Sequence, residues 1–327
     1  MPVTPVRLSV KNHVAFGEAL GEVFGDRLRD ILACEKHPEW ERDVKRAMAY
    51  WSDTKKFFPQ YAEEIEAYAR SSRIRTEDLW TLGLELAMDV DRCTVMVAND
   101  GFLVGHVEDF DPSTKDDVVL LERTIAGTTV LELFYIYTLG GNSGAINSHG
   151  WVHLVNTLHT GRTRRGVPRN VIARWFSETK DPKQDARRLR NIPLSNGYAH
   201  TFIDTRKGTI LSLETASHDS LMREVHPPFA HTNHYLFSEL TPDESYASSS
   251  STFRLADAEV LLKPKMTVEA MRKAMADRRR GKEDSIFNQD TIAKVIFDLK
   301  ANEAHTWFAR APKRGFAKTK LDFLPKR

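Results

Sequence analysis

Cys93 opens a stretch whose residue types and spacing permit thiol chemistry, Cys93-Thr-Val-Met-Val-Ala-Asn-Asp-Gly-Phe-Leu-Val-Gly-His-Val-Glu-Asp109. Its first half alternates as a half-buried strand does, with Cys93, Val95 and Val97 on one face and Thr94, Met96 and Ala98 on the other. Asn99-Asp-Gly101 is a hairpin turn signal, and Phe102-Leu-Val104 runs back alongside. The hairpin returns Gly105 to Asp109 to the head of the first strand, making Cys93 and Asp109 expected neighbours. A thiol with a pKa of about 8.5 is only partly ionised at neutral pH, so a nucleophilic cysteine needs a base beside it. The opposing reading is that a cysteine in an apolar alternation is a small buried hydrophobe. Spacing alone leaves both open.

Other residues offer partners. His106, His231 and His234 could each pair with Cys93 as thiol and imidazole in an uncut chain. His231-x-x-His234 and His149-x-x-x-His153 have ligand-like spacings, but alternation turns His231 and His234 to opposite faces of a strand, so no metal and no cofactor is expected. Cys34 closes a helical stripe and receives no role. The basic loop Gly161-Arg-Thr-Arg-Arg-Gly166 reads as a solvated turn, able to hold an anionic group only where it borders the site.

These residues need a frame. Phe16, Leu20, Val23, Leu28, Ile31 and Leu32 recur at helical spacing, and Glu39 to Phe58 reads as a further helix stopped by Pro59. Tyr61 to Arg70 gives another, and Thr76-Glu-Asp-Leu-Trp80 caps a fourth, with the helical region reaching about Met88. Beyond Cys93 the pattern turns to strands: Val118–Ile125, Thr128–Tyr137, Trp151–Leu158, Tyr198–Asp204, Thr209–Glu214, a short His231–Phe237, and a closing hairpin of Ile292–Leu299 with Ala304–Ala309. Helices are expected from Val167 to Ser177, Gln184 to Arg190, Leu255 to Leu262 and Val268 to Asp277, and Ser245 to Thr252 reads as a loop. Helices in front and many strands behind predict an α+β fold of layered helices and largely antiparallel sheets.

Composition narrows the function. The 327 residues are 41% hydrophobic and 28% charged, ordinary for a folded globular chain. With 47 basic and 45 acidic residues the formal net charge is +2, which favours neither nucleic acid nor an anionic membrane as partner. Two cysteines argue against a disulfide-stapled secreted scaffold. There is no apolar signal-peptide core near the start and no run of about 18 apolar residues, so a cytoplasmic location is expected.

Four segments then align with a known family: Arg92-Cys-Thr94, Gly105-His-Val-Glu-Asp109, Gly141-Asn142 through Gly150, and His231-Thr-Asn-His234. In their order and spacing the chain resembles the isopenicillin-N N-acyltransferase and carcinine hydrolase family, a branch of the N-terminal nucleophile hydrolases. It is similar, more distantly, to penicillin V acylases and choloylglycine hydrolases. The resemblance runs from about Phe16 to Ala311 and includes Tyr61-Ala-Glu-Glu-Ile-Glu-Ala-Tyr-Ala-Arg70 and Ser195-Asn-Gly-Tyr198.

That resemblance implies an αββα sandwich, two antiparallel sheets between helix layers. It also implies a precursor that cuts itself between Arg92 and Cys93, leaving a helical α chain of residues 1–92 and a β chain of residues 93–327 that stay together as one folded unit. Cys93 would be the nucleophile, Asp109 would orient its new α-amino group, and Asn233 would donate to the oxyanion. Arg254 falls where the family places an arginine near the nucleophile, and Thr94 and Ser251 are candidates for support or substrate contact. The implied activity is hydrolysis or acyl transfer on a small N-acyl amide through a Cys93 thioester. The rival readings are an uncut cysteine–histidine hydrolase and an inactive binding protein on the same fold. Two positions depart from the family: Val107 stands where asparagine is common, and Arg92 where glycine often precedes the nucleophile.

Overall fold

The computed structural model describes residues 4–84, 93–161, 163–241, 244 and 246–325. Arg92, one side of the expected cut, lies outside the described residues, as do residues 85–88 of the expected helical region.

In chain order the elements before Cys93 are β1 (Val6–Val10), α1 (His13–Glu35), α2 (Trp40–Met48), α3 (Trp51–Phe57), α4 (Pro59–Ser72) and α5 (Thr76–Leu84). After it come β2 (Thr94–Ala98), β3 (Leu103–Asp109), β4 (Val118–Ile125), β5 (Thr128–Tyr135), β6 (Ala145–Asn147), β7 (Trp151–Thr157), α6 (Arg169–Ser177) and α7 (Pro182–Leu189). The remainder is β8 (Tyr198–Asp204), β9 (Ile210–Thr215), β10 (Ser220–Val225), β11 (Phe229–His231), α8 (Ser249–Leu261), α9 (Val268–Ala274), the short α10 (Gly281–Asp284), β12 (Thr291–Asp298), β13 (Glu303–Phe308) and β14 (Ala317–Lys320).

The strands form two sheets, ordered β1-β4-β5-β6-β7-β8-β9-β10 and β11-β2-β3-β12-β13-β14. Neighbours pair antiparallel except β1, which runs parallel to β4. Alternation along β2 and β3 divides their side chains as the sequence predicted. Val95, Val97 and Val104 enter the main core with residues of the first sheet such as Leu120 and Leu131. Met96, Leu103 and Val107 face the other way, onto Ala258 of α8 and Met271 of α9. Against the first sheet lie α1, through Phe24 on Phe134, α4, through Tyr68 donating to the Ile136 carbonyl at 2.5 Å, and α6, through Phe176 on Phe202. Two sheets face to face between helices make the expected αββα sandwich. No described helix is long and apolar enough to cross a membrane.

Helix α1 shows why the front of the chain holds its place. Asn12 caps it by accepting from Ala15 N at 2.9 Å, and Phe16, Leu20, Phe24 and Leu28 are buried along one stripe. Gly17 and Gly21 let α4 approach closely: a Cβ at Gly17 would sit 2.1 Å from the Glu64 carbonyl oxygen, and one at Gly21 2.4 Å from Ser71 Cβ. A side chain at either position would push the two helices apart.

Four local expectations change. The helix expected from Glu39 to Phe58 is broken between Met48 and Trp51, because the Ala47 carbonyl, which a continuous helix would give to Trp51, accepts from the Trp80 indole at 2.9 Å. The strand expected over His231–Phe237 ends at His231, since the Leu236 and Phe237 amides donate to buried Glu214 instead of a neighbouring strand. The expected loop over Ser245–Thr252 contains the start of α8, capped by Ser248, whose hydroxyl accepts from Ser251 N at 3.0 Å. Strands β1, β6, β10 and β14 have no counterpart among the strands expected from the sequence.

Candidate active site

The turn between β2 and β3 builds the site from below. Asn99, Asp100 and Gly101 take left-handed φ of 56°, 55° and 85°. A Cβ at Gly101 would lie 2.0 Å from the Gly208 carbonyl oxygen, so glycine is required both for φ and for close approach. The resulting register pairs Thr94 with Val107, Val95 with His106 and Met96 with Gly105. Extended one step, it sets Glu108 opposite Cys93.

Glu108 is therefore the carboxylate on the thiol side. Cys93 Sγ, a ring nitrogen of His106 and a carboxylate oxygen of Glu108 lie within 4.8 Å of one another, all three residues buried. Glu108 Oε2 is 2.7 Å from His106 Nε2 and accepts from Ser143 Oγ, while Oε1 accepts from Tyr135 OH at 2.6 Å. Burial, reinforced by the Glu108 charge, pushes the Tyr135 phenol well above its ordinary range, so it stays a donor. His106 Nδ1 is buried and has no hydrogen-bond partner among the described residues. A small cavity of about 20 Å³, room for roughly one water molecule, borders Cys93, Glu108, Tyr135, Asn142, Thr157 and Tyr198. A roomier cavity of about 320 Å³ lies among Arg27, Cys34, Trp40 and Tyr137, whose ring packs edge-on against Tyr135 at 5.8 Å.

The opposite face of the hairpin holds the other expected residues. Arg254, fully buried on α8, donates from Nη1 to the Cys93 carbonyl and to Thr94 Oγ1, each at 2.8 Å, and from Nη2 to Asn233 Oδ1 at 2.9 Å. Asn233 Nδ2 donates to the Thr157 carbonyl at 3.0 Å, and its backbone N–H to Ser251 Oγ at 2.7 Å. Ser251 Oγ also donates to Thr232 Oγ1, so it supports the Asn233 loop. Residues 93, 94 and 233, scattered along the sequence, thus meet around the Arg254 guanidinium, and Ser251 supports Asn233 from behind.

By the alternation along β3, the Asp109 side chain falls on the same face as Leu103 and Val107. Its carboxylate accepts from Thr291 Oγ1 at 2.6 Å and from Asn288 Nδ2 at 2.8 Å. Burial raises its pKa to about 6, against the opposing pull of the Arg254 charge and those two hydrogen bonds.

The three candidate imidazoles separate. His106 is on the thiol side, whereas His231 bridges Glu214 at 3.0 Å and the Thr232 carbonyl at 2.7 Å. His234 Nδ1 is 2.8 Å from Ser251 Oγ, and burial lowers its pKa to about 4, leaving it neutral near pH 7. The spaced pair His149 and His153 turns to different partners, Thr128 and His200. Val107, the departure from the family motif, is fully buried among Met96, Ala258 and Met271, an apolar setting that suits valine.

Sequence reasoning missed Glu108, Tyr135, Ser143, Asn288 and Thr291. Glu108 was within reach, because counting the hairpin register back from its turn pairs it with Cys93. The other four come from distant segments and carry no local signal.

Residues 96–312 match the family described as acyl-coenzyme A:6-aminopenicillanic acid acyl-transferase, a match that begins three residues after Cys93. The chain is 23% identical over 354 aligned positions to the beta-alanyl-dopamine/carcinine hydrolase of Drosophila melanogaster, covering 91% of this chain and 90% of that protein. Among solved structures it is similar to penicillin V acylase from Agrobacterium tumefaciens, at 12% identity and a TM-score of 0.45 over 67% of this chain and 83% of the other. It is also similar to a mutant conjugated bile acid hydrolase from Clostridium perfringens, at 10% identity and a TM-score of 0.44 over 71% and 92%.

Proposed function

Because the chain belongs to the acyl-coenzyme A:6-aminopenicillanic acid acyl-transferase family, a family of amide hydrolases and acyltransferases, we propose that it matures by cutting itself between Arg92 and Cys93 and then works as an N-terminal cysteine amidase or acyltransferase. The observation that carries this reading is the grip of Arg254 on the Cys93 carbonyl, Thr94 and Asn233 at once. It fixes the head of a strand against an amide donor, the arrangement an acyl-transfer site needs.

In this reading the freed α-amino group of Cys93, with a pKa of about 7.7–8.0, takes the thiol proton. Sγ attacks the substrate carbonyl, and the second N–H of Asn233 Nδ2 stabilises the oxyanion. The ammonium returns the proton to the departing amine, leaving a thioester on Cys93. Water then gives the acid, or another amine gives a new amide. Asp109, held by Thr291 and Asn288, supplies the charge that favours the ammonium form.

The two pieces have strong reason to stay together. Before the cut, β1 supplies an edge strand to β4. Buried Arg174 of α6 donates to Glu64 of α4 at 2.9 Å and to Glu178 at 2.6 Å, and Tyr61 of α4 donates to Glu178 at 2.9 Å. The substrate class is a small N-acyl amide, and β-alanyl amines belong in the first panel tested, given the activity named for the fly relative.

A second reading has one observation in its favour, the Cys93–His106–Glu108 group within 4.8 Å. In an uncut chain, Glu108 would orient His106 and His106 would take the thiol proton. One comparison separates the two. When the pieces are expressed separately with one extra residue before Cys93, the first reading expects activity to vanish, because the amine becomes a non-basic amide. The second expects that version to work and His106→Ala to be dead. Full activity in the extended version ends the first reading.

A further inference from the structure

We propose that Cys93, His106 and Glu108 form a Zn²⁺ site whose occupation holds the enzyme inactive. The site stands on its own geometry; only the inhibitory consequence rests on the reading of Cys93 as nucleophile.

A thiolate sulfur, an imidazole nitrogen and a carboxylate oxygen are three donors that zinc takes together, and the sulfur and nitrogen disfavour magnesium and calcium. Tetrahedral bonds of about 2.0–2.3 Å place ligand atoms roughly 3.3–3.8 Å apart. Donors already within 4.8 Å of one another need only small side-chain movements to reach that spacing. They are also held for it. Cys93 directly precedes β2, His106 lies on its paired strand β3, and Glu108 is braced by Tyr135 and Ser143, the outer contacts that orient a ligating carboxylate.

His106 is fully buried, and its Nε2 faces Glu108 Oε2 at 2.7 Å, so Nε2 is the nitrogen that would ligate, with Glu108 turning from hydrogen-bond partner to fellow ligand. The adjoining cavity has room for about one water molecule, enough for a fourth ligand. Charge balances on binding: the thiol releases one proton, and thiolate plus carboxylate neutralise the dication. Affinity should therefore rise with pH. A sulfur bound to zinc cannot attack a carbonyl, so removing the metal would switch the enzyme on.

The experiment titrates Zn²⁺ alone into chelator-stripped full-length protein against a chromophoric competitor. The expected result is one ion per chain, with at least about tenfold weaker binding in Cys93→Ala, His106→Ala and Glu108→Gln and none lost in Cys34→Ser. Co²⁺ should give a thiolate charge-transfer band in the wild type that is absent from Cys93→Ala. Thermal unfolding followed by circular dichroism shows which variants fold; the isosteric Glu108→Gln and the wild-type cobalt spectrum decide the matter where His106→Ala does not. No stoichiometric ion, binding unchanged in the folded variants, or no thiolate band overturns the proposal. Binding without any role for Cys93 in turnover would leave the site standing and remove the nucleophile reading; the converse would remove only the site.

Discussion

Replacing Arg254 should move the acid limb of the pH–rate profile, and the direction follows from what surrounds Asp109. Burial raises that carboxyl to about 6, and the Arg254 charge is the largest influence pulling it back. Arg254→Leu removes the charge without adding a polar group, so Asp109 should become harder to ionise and the limb should shift to higher pH. A change of one pKa unit corresponds to about 1.4 kcal/mol of lost charge interaction. The same substitution removes the donor from buried Asn233 Oδ1, at about 1–3 kcal/mol, so stability should fall by at least about that much. Arg254→Lys keeps a charge near Asp109 but, as a point donor, cannot reproduce the fork that spans Cys93 and Asn233. It should lose turnover while leaving the limb near its wild-type position. The assay is initial rate on an acyl amide across the limb, with urea unfolding of the same preparations. An unmoved limb in a folded Arg254→Leu protein would refute the electrostatic link between Arg254 and Asp109.

Asn233→Ala should lower turnover by roughly a hundred- to a thousandfold with a much smaller change in substrate binding, checked by separating kcat from KM. Intact mass of wild-type protein should give two pieces meeting between Arg92 and Cys93 that co-elute under native conditions, whereas Cys93→Ala stays whole. The buried pair His153 and His200, 3.0 Å apart, should make the fold acid-sensitive. Burial lowers His200 from 6.5 to about 3 and His153 in the same direction, so the unfolded chain binds more protons between those values. Stability is then full above about 6.5 and falls as pH drops toward 3. Urea midpoints measured against pH should show that slope, and a His153→Leu, His200→Leu variant should show less of it.

Much of this protein is legible where the information is local. The Asn99-Asp-Gly101 turn and the alternation after Cys93 define the hairpin, because turn chemistry and strand period act over a few residues. The helical stripe from Phe16 to Leu32 and the long strands of the first sheet are readable for the same reason. Position 107 is also local in effect: valine fits the face that alternation assigns it. What tertiary structure alone decided is non-local. Strand β1 alternates strictly as Val6-Arg-Leu-Ser-Val10, so the strand itself is a local feature, but its parallel pairing with β4 is decided only by the fold. The helix break after Met48 depends on an indole more than thirty residues away, and the end of β11 on a buried glutamate that captures amides. Around Cys93, local alternation names the two faces but not what fills them. That Arg254 binds Cys93 and Asn233, that Tyr135 and Ser143 brace Glu108, and that Asn288 and Thr291 hold Asp109 all require segments up to 182 residues apart to be packed together. A buried charge takes whichever partners the fold brings within hydrogen-bond reach, and that choice is made in three dimensions.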